Sequence, residues 1–400
     1  MIGQSPMVGL GKVVIMPTER TFDNSMLKFP RCQLDQLLQR DANNLDLIRL
    51  ICACAVIFGH SFVLIKDPGY PLGTWDPCKF LRYEGVYSAS VAVKVFFFIS
   101  GLLVTNSLLE RKSVTGYVCG RVFRIWPAYI VILLFTAFIV GPLFTTLTPG
   151  EYFSQRAVYA YPVENILMLQ TGTLPGVFSD NPLPNLVNGA LWTLPYEVVA
   201  YQLLLLVFLL GIHRRFLLCT GLVLLILIDP LLPGSTLFPW SDPNPQFAYL
   251  PPCFAIGAYL ALMRHRISFG WETIVSLIVA FLFLKSSRWG PLLFLITLFI
   301  TLLYISGTRW MRRLRLPFDC SYGTFVWGFV IQQMMADKYA DKGLVFNLVI
   351  SLIAALAVGF LSWHYIEKPA IAMGRRVTGH LKAAKINKLV SAAPAGEMVL

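Results

Sequence analysis

The chain has 400 residues, of which 56% are hydrophobic and only 14% charged, and its mean hydropathy is +0.65. Soluble chains carry about 25% charged residues, so an ordinary soluble protein is excluded. The formal charge of +12 raises nucleic acid as a partner, but cytoplasmic loops of membrane proteins carry excess Lys and Arg, and no nucleic-acid partner is expected.

In chain order, a polar segment over 1–44 gives no sign of a cleavable leader. Ten apolar segments follow, near 46–65, 88–108, 125–146, 190–211, 215–233, 246–264, 268–285, 290–306, 319–337 and 345–366. Most approach the roughly 20 residues that cross a hydrocarbon core of about 30 Å. Alternating segments of a β-barrel are absent. The predicted fold is therefore all-α: a polytopic membrane protein with about ten transmembrane helices. A weakly apolar stretch at 157–172 reads as a half-buried loop helix, and the Pro-rich stretches 175–184 and 229–252 read as loops. The predicted organisation is an N-terminal tail 1–44, a membrane domain 45–370 and a basic tail 371–400, mobile or lying on anionic lipid.

Charge sets the expected orientation. The N-terminal side of the membrane collects 23 Lys and Arg and the other side 8, which predicts that both termini are cytoplasmic. The long 146–189 loop then lies outside. The eight cysteines fall mostly within or beside apolar segments, where cysteine behaves as a small hydrophobe, and they point away from a disulfide framework.

The first apolar segment carries two ionisable groups, Arg49 and His60. Eleven residues at about 100° each make roughly three turns, so both lie on one helix face about 16 Å apart. Ionisable groups at membrane depth mark functional sites. On the predicted topology His60 sits roughly 20 Å above the inner surface and Glu197 roughly 10 Å below the outer one, at one level. Such a pair reads either as a base with its orienting partner or as a structural hydrogen bond between helices. Arg121 and Arg124, three apart, share a face near the inner mouth with Arg49. Three guanidiniums suit phosphate oxygens, or alternatively lipid headgroups. Phosphates at the inner mouth with a base some 15 Å deeper would fit a long-armed donor such as a coenzyme A thioester.

Lys94 is a further buried-looking cation, and Ser100-Gly101 a small, polar close-approach site. FFFISG lacks the GxSxG spacing of a serine nucleophile. His213, His265, His364 and His380 lie in loops, at a helix end or in the tail, away from catalytic settings. No grouping has metal-ligand spacing, and no phosphate loop of the GxxxxGK[ST] type occurs.

Together these stretches resemble the acyltransferase 3 family of integral membrane acyltransferases. Arg49 and His60 fit its arginine–ten residues–histidine signature. VFFFISGLLV resembles its FF-hydrophobic-SG block, with Ser100 and Gly101 in register. Arg121 and Arg124 fit its RxxR motif. VNGALWTLPYEVVAY, with Trp192, Glu197 and Tyr201, is similar to the WxLxxE…Y segment of the sugar O-acetyltransferase branch. DCSYG, containing Ser321 and Tyr322, resembles its SYxxY block, and IEKP its close.

The resemblance implies an O-acyltransferase, most often acetyl, that uses cytoplasmic acyl-CoA as donor cosubstrate and no permanently bound cofactor. His60 would be the general base or acyl relay, and Glu197 would orient it or position the sugar. Arg121 and Arg124 would contact the CoA phosphates, with Arg49 supporting the donor site. Ser100, Trp192, Tyr201, Ser321 and Tyr322 would bind substrate or support the site. The acceptor would be a carbohydrate or lipid-linked glycan, and the location a bacterial inner membrane. A transporter or flippase for lipid-linked glycan, and a structural component of a polysaccharide machine, remain the other readings.

Overall fold

A computed structural model describes residues 31–39, 41–65, 76–81, 83, 86–232, 237 and 247–392, with side chains through 384. Much of the tail 1–44, and parts of the loops 66–88 and 233–245, lie outside the described residues.

The described chain is almost entirely helical, and each of the ten predicted apolar segments is a helix. In chain order the principal helices are α1 (Leu45–Leu64), α2 (Ser88–Arg111), α3 (Val114–Phe135), α4 (Arg156–Ile166), α5 (Thr193–Leu209) and α6 (Phe216–Ile228). They continue with α7 (Leu250–Leu262), α8 (Trp271–Leu284), α9 (Gly290–Ser306), α10 (Ser321–Lys338), α11 (Gly343–Ser362) and α12 (Lys368–Ala392). Four helical stretches are long and apolar enough to cross a membrane: Leu45–Leu64, Ser88–Arg111, Val114–Phe144 and Ala340–Ala384. Large apolar side chains such as Leu217 and Phe283 stand exposed on α6 and α8, as lipid-facing surfaces require.

Local chemistry fixes the ends that matter to the site. The Asn44 side chain caps α1 by accepting from the Leu47 amide at 3.3 Å. The same side chain donates to the Met311 carbonyl at 2.8 Å, which ties the start of α1 to the segment after α9. Between α2 and α3 the chain turns within two residues, with Lys112 in the left-handed region (φ 49°). Ser113 then caps α3 through the Gly116 amide at 3.1 Å. Residues Thr136–Val140 and Trp363–Glu367 form π turns, a distortion that clusters at functional sites.

Helix α2 sits at the centre and is buried along most of its length. It meets α7 backbone to backbone: Gly101 lies against the Phe254 carbonyl and Gly257 against the Phe98 carbonyl. Small residues permit such approach where apolar burial cannot drive helix pairing. Helix α10 is buried almost all round. Its Gln332 donates to the Ile57 carbonyl at 2.9 Å and to Ser61 at 2.8 Å, linking it to α1.

Three expectations need correction. The helix expected from residue 125 begins at Val114, because Ser113 caps it and the arginines of its first turns lower hydropathy without breaking helical geometry. The basic tail expected from residue 371 continues as α12 and packs along α3, with Gly374 set against the Phe123 ring. Two-residue strands, Cys32–Gln33 and Ser268–Phe269, pair antiparallel where no strand is expected. The loop helix expected over 157–172 is α4, with Val158 and Tyr161 buried.

Candidate active site

A cavity of about 700 Å³ opens between α2, α3, α5, α10 and α12. Arg49, Arg111, Arg121, Arg124, Arg375 and Lys382 all line it, so its wall is strongly cationic. The arginines predicted to converge do converge, but in two different states. The Arg49 Nη1 lies 2.8 Å from Asp319 Oδ2, and the Arg124 Nη2 reaches the same oxygen at 2.5 Å. The other Asp319 oxygen accepts the Ser321 hydroxyl at 2.6 Å, which seats Asp319 at the start of α10. Arg124 also stands 3.8 Å from buried Glu367 and 5.7 Å from the Trp363 ring, both delivered by the π turn after α11. Arg49 and Arg124 are therefore neutralised within the protein. Arg121 instead lies 5.7 Å over the Tyr201 ring and makes no ion pair among the described residues.

Deeper along the wall, Glu197 Oε1 accepts a hydrogen bond from Ser100 Oγ at 2.8 Å and a second, short one from the Tyr201 hydroxyl. Ser100 and Tyr201 oxygens are themselves 2.5 Å apart. The four-residue spacing of Glu197 and Tyr201 puts both on one face of α5, and Ser100 meets them from α2. Tyr117 donates to the Tyr201 carbonyl at 2.9 Å and Tyr322 to the Ile125 carbonyl at 3.1 Å, fixing neighbouring walls.

His60 occupies a second, smaller void of about 20 Å³, with Ser90, Lys94, Trp192 and Phe325 among its walls. That volume holds about one water molecule. The imidazole meets the Phe329 ring edge-on at a centroid distance of 5.1 Å, and Lys94 donates to Ser90 at 2.5 Å. Val93 and Phe325 line both spaces, so the cationic cavity and the histidine's void adjoin at these two residues. The expected contact between His60 and Glu197 is not formed. Glu197 is held by Ser100 and Tyr201, and His60 has no hydrogen bond among the described residues.

Five groups escape a residue-by-residue reading. Asp319 and Glu367 were visible only as parts of motifs, and their ion pairs join positions 270 and 243 residues away in sequence. From sequence alone, Arg111, Arg375 and Lys382 are distinguishable only as inside-facing charge. The helical phase of residues 371–382 is the signal that reveals the last two.

Fold and site together define a polytopic helical membrane protein with a cationic, ligand-sized cavity adjoining a smaller void lined by a half-buried histidine. The chain belongs to the acyltransferase 3 family: that family's acyltransferase domain matches residues 42–380. Over 340 residues the chain is 26% identical to an O-acetyl transferase of Shigella phage Sf6, covering 82% of this chain and 95% of that protein. It is also 26% identical over 359 residues to nodulation protein 10 of Rhizobium leguminosarum bv. viciae, covering 83% and 94%. No solved structure matches it. The protein is thus an acyl-transferring membrane enzyme.

Proposed function

We propose that this enzyme is an O-acetyltransferase of the bacterial inner membrane, taking acetyl from cytoplasmic acetyl-CoA to a hydroxyl of a surface or exported saccharide. The ten principal apolar helices are its spans, and both termini face the cytoplasm, in keeping with the bias of Lys and Arg. The observation that carries this reading is a cation-walled cavity of about 700 Å³ that shares two lining residues, Val93 and Phe325, with the small void lined by His60. Ligand sites span about 300–1,000 Å³, and cations on one wall suit a polyphosphate donor.

In this reading the donor's phosphates stay at the basic mouth and its thioester reaches the Val93–Phe325 boundary. His60 takes the proton of the acceptor hydroxyl as that oxygen attacks the thioester carbonyl. The tetrahedral adduct collapses by breaking the carbon–sulfur bond, and the proton passes to the departing CoA thiolate. Glu197, bonded to Ser100 and Tyr201, acts as a positioning group for substrate rather than as His60's orienting partner. Trp192 lines the same small void as His60. The O-acetyl transferase name of the phage relative supports the choice of acetyl and of oxygen as acceptor.

The test uses the full chain in lipid nanodiscs with radiolabelled acetyl-CoA and membrane glycan from the host. Wild type should transfer label, and His60→Ala should lose about 10²–10⁴-fold in rate with an unchanged thermal unfolding curve. Full activity in a folded His60→Ala protein would end this mechanism.

A further inference from the structure

The cationic cavity has more positive charge than its own ion-paired carboxylates balance, and two of the four cations unpaired among the described residues come from the C-terminal helix. Arg49 and Arg124 share Asp319, and Arg124 also faces Glu367. Arg111, Arg121, Arg375 and Lys382 line the same cavity and make no ion pair among the described residues. On α12 the cavity-lining positions are Ile371, Gly374, Arg375, Thr378 and Lys382. Ile371, Arg375, Thr378 and Lys382, four, three and four residues apart, trace one face of a helix, with Gly374 beside them. Gly374 brings that face against Phe123, next in the chain to Arg124. Arg375 and Lys382, seven apart, are separated by roughly 10 Å along the helix axis. Both are solvent-exposed.

We propose that Arg375 and Lys382 of the C-terminal helix, with Arg111 and Arg121, grip the phosphates of the acyl-CoA donor, while Arg49 and Arg124 serve to hold α1, α3 and α10 together. This rests on the acyl-CoA reading above and changes which residues recognise the donor. Coenzyme A carries a diphosphate and a separate 3′-phosphate, so cations spread along a wall match it better than one cluster. Arginine gives forked bonds to such oxygens and lysine a mobile point charge.

The experiment measures CoA and pantetheine binding to the full chain in phosphatidylcholine nanodiscs, for wild type and the Arg375→Gln/Lys382→Gln double variant. The double variant should bind CoA at least about tenfold more weakly, as expected on losing charge-assisted hydrogen bonds. Its affinity for pantetheine, which lacks the phosphates, should equal that of wild type, and Arg375→Lys with Lys382→Arg should recover most of the loss. Equal CoA affinity in double variant and wild type overturns the assignment but leaves the donor reading standing. A wild type that binds no CoA removes the donor reading itself. A loss confined to discs containing phosphatidylglycerol assigns the two cations to lipid headgroups and overturns the proposal.

Discussion

Asp319 is the residue on which the cationic mouth depends. Two guanidiniums meet one of its oxygens, and Ser321 holds the other. Replacing it by Asn removes the charge and leaves Arg49 and Arg124 facing each other, with Glu367 as the remaining close carboxylate of Arg124. Breaking a buried pair in this way costs about 3–5 kcal/mol. The side chains here keep between 13% and 21% of their exposure, which places Asp319→Asn near the low end, about 3 kcal/mol. Thermal unfolding in detergent should report this loss, and CoA affinity should fall far less than in the Arg375→Gln/Lys382→Gln protein. The opposite pattern, full stability with lost affinity, would make Arg49 and Arg124 donor ligands after all. At this scale the sequence was legible within a helix and opaque between helices. The periodicity of one helix brings Arg121 and Arg124 to one face, but it says nothing about a carboxylate arriving from position 319. The same limit explains Glu197, whose depth was matched to His60 although its partners are Ser100 and Tyr201.

Elements were legible wherever apolar residues run without interruption, since burial in lipid or core demands that composition. The first three turns of α3 and all of α12 were not, because a helix with a charged face lining a cavity has low hydropathy and looks like a tail. Pairing of α2 with α7 left a clearer mark in its glycines, Gly101 and Gly257. A Cβ on Gly101 would collide with the Phe254 carbonyl, and one on Gly257 with the Phe98 carbonyl. Both obstacles are backbone, so relief requires moving a helix. Gly101→Ala and Gly257→Ala should each cost about 1–3 kcal/mol, the usual penalty for overpacking. Gly221 on α6 has no atom near such a Cβ, so Gly221→Ala should gain up to about 1 kcal/mol from helix propensity. Thermal melts of the three purified variants decide the matter: equal behaviour would mean that α2 and α7 are not in close backbone contact.

At the scale of the whole molecule, the boundary between the two cavities is where the proposed mechanism would link donor binding to chemistry. Phe325 comes from α10 and Val93 from the central α2, so the boundary is built from two of the most buried helices. Phe325 is 8% exposed and rests edge-on against Phe96 at 5.6 Å. Under the proposed mechanism, a side chain in that position would control whether the thioester and His60 share one space. Truncating it to Ala removes much buried surface and costs about 3–5 kcal/mol, so Phe325→Leu is the gentler variant. Widening the opening with Leu should admit water beside the thioester and raise acetyl-CoA hydrolysis relative to transfer. Filling it with Phe325→Trp should lower the rate of transfer while leaving CoA affinity unchanged, if the phosphates are held at the far end of the cavity as proposed. Binding and turnover separate in this way only if the donor's arm passes this boundary. If Trp weakens CoA binding and turnover together, Phe325 contacts the bound donor directly. If Leu and Trp alter neither hydrolysis nor transfer, the acetyl group reaches its acceptor inside the larger cavity, where Glu197, Ser100 and Tyr201 would be the groups beside it.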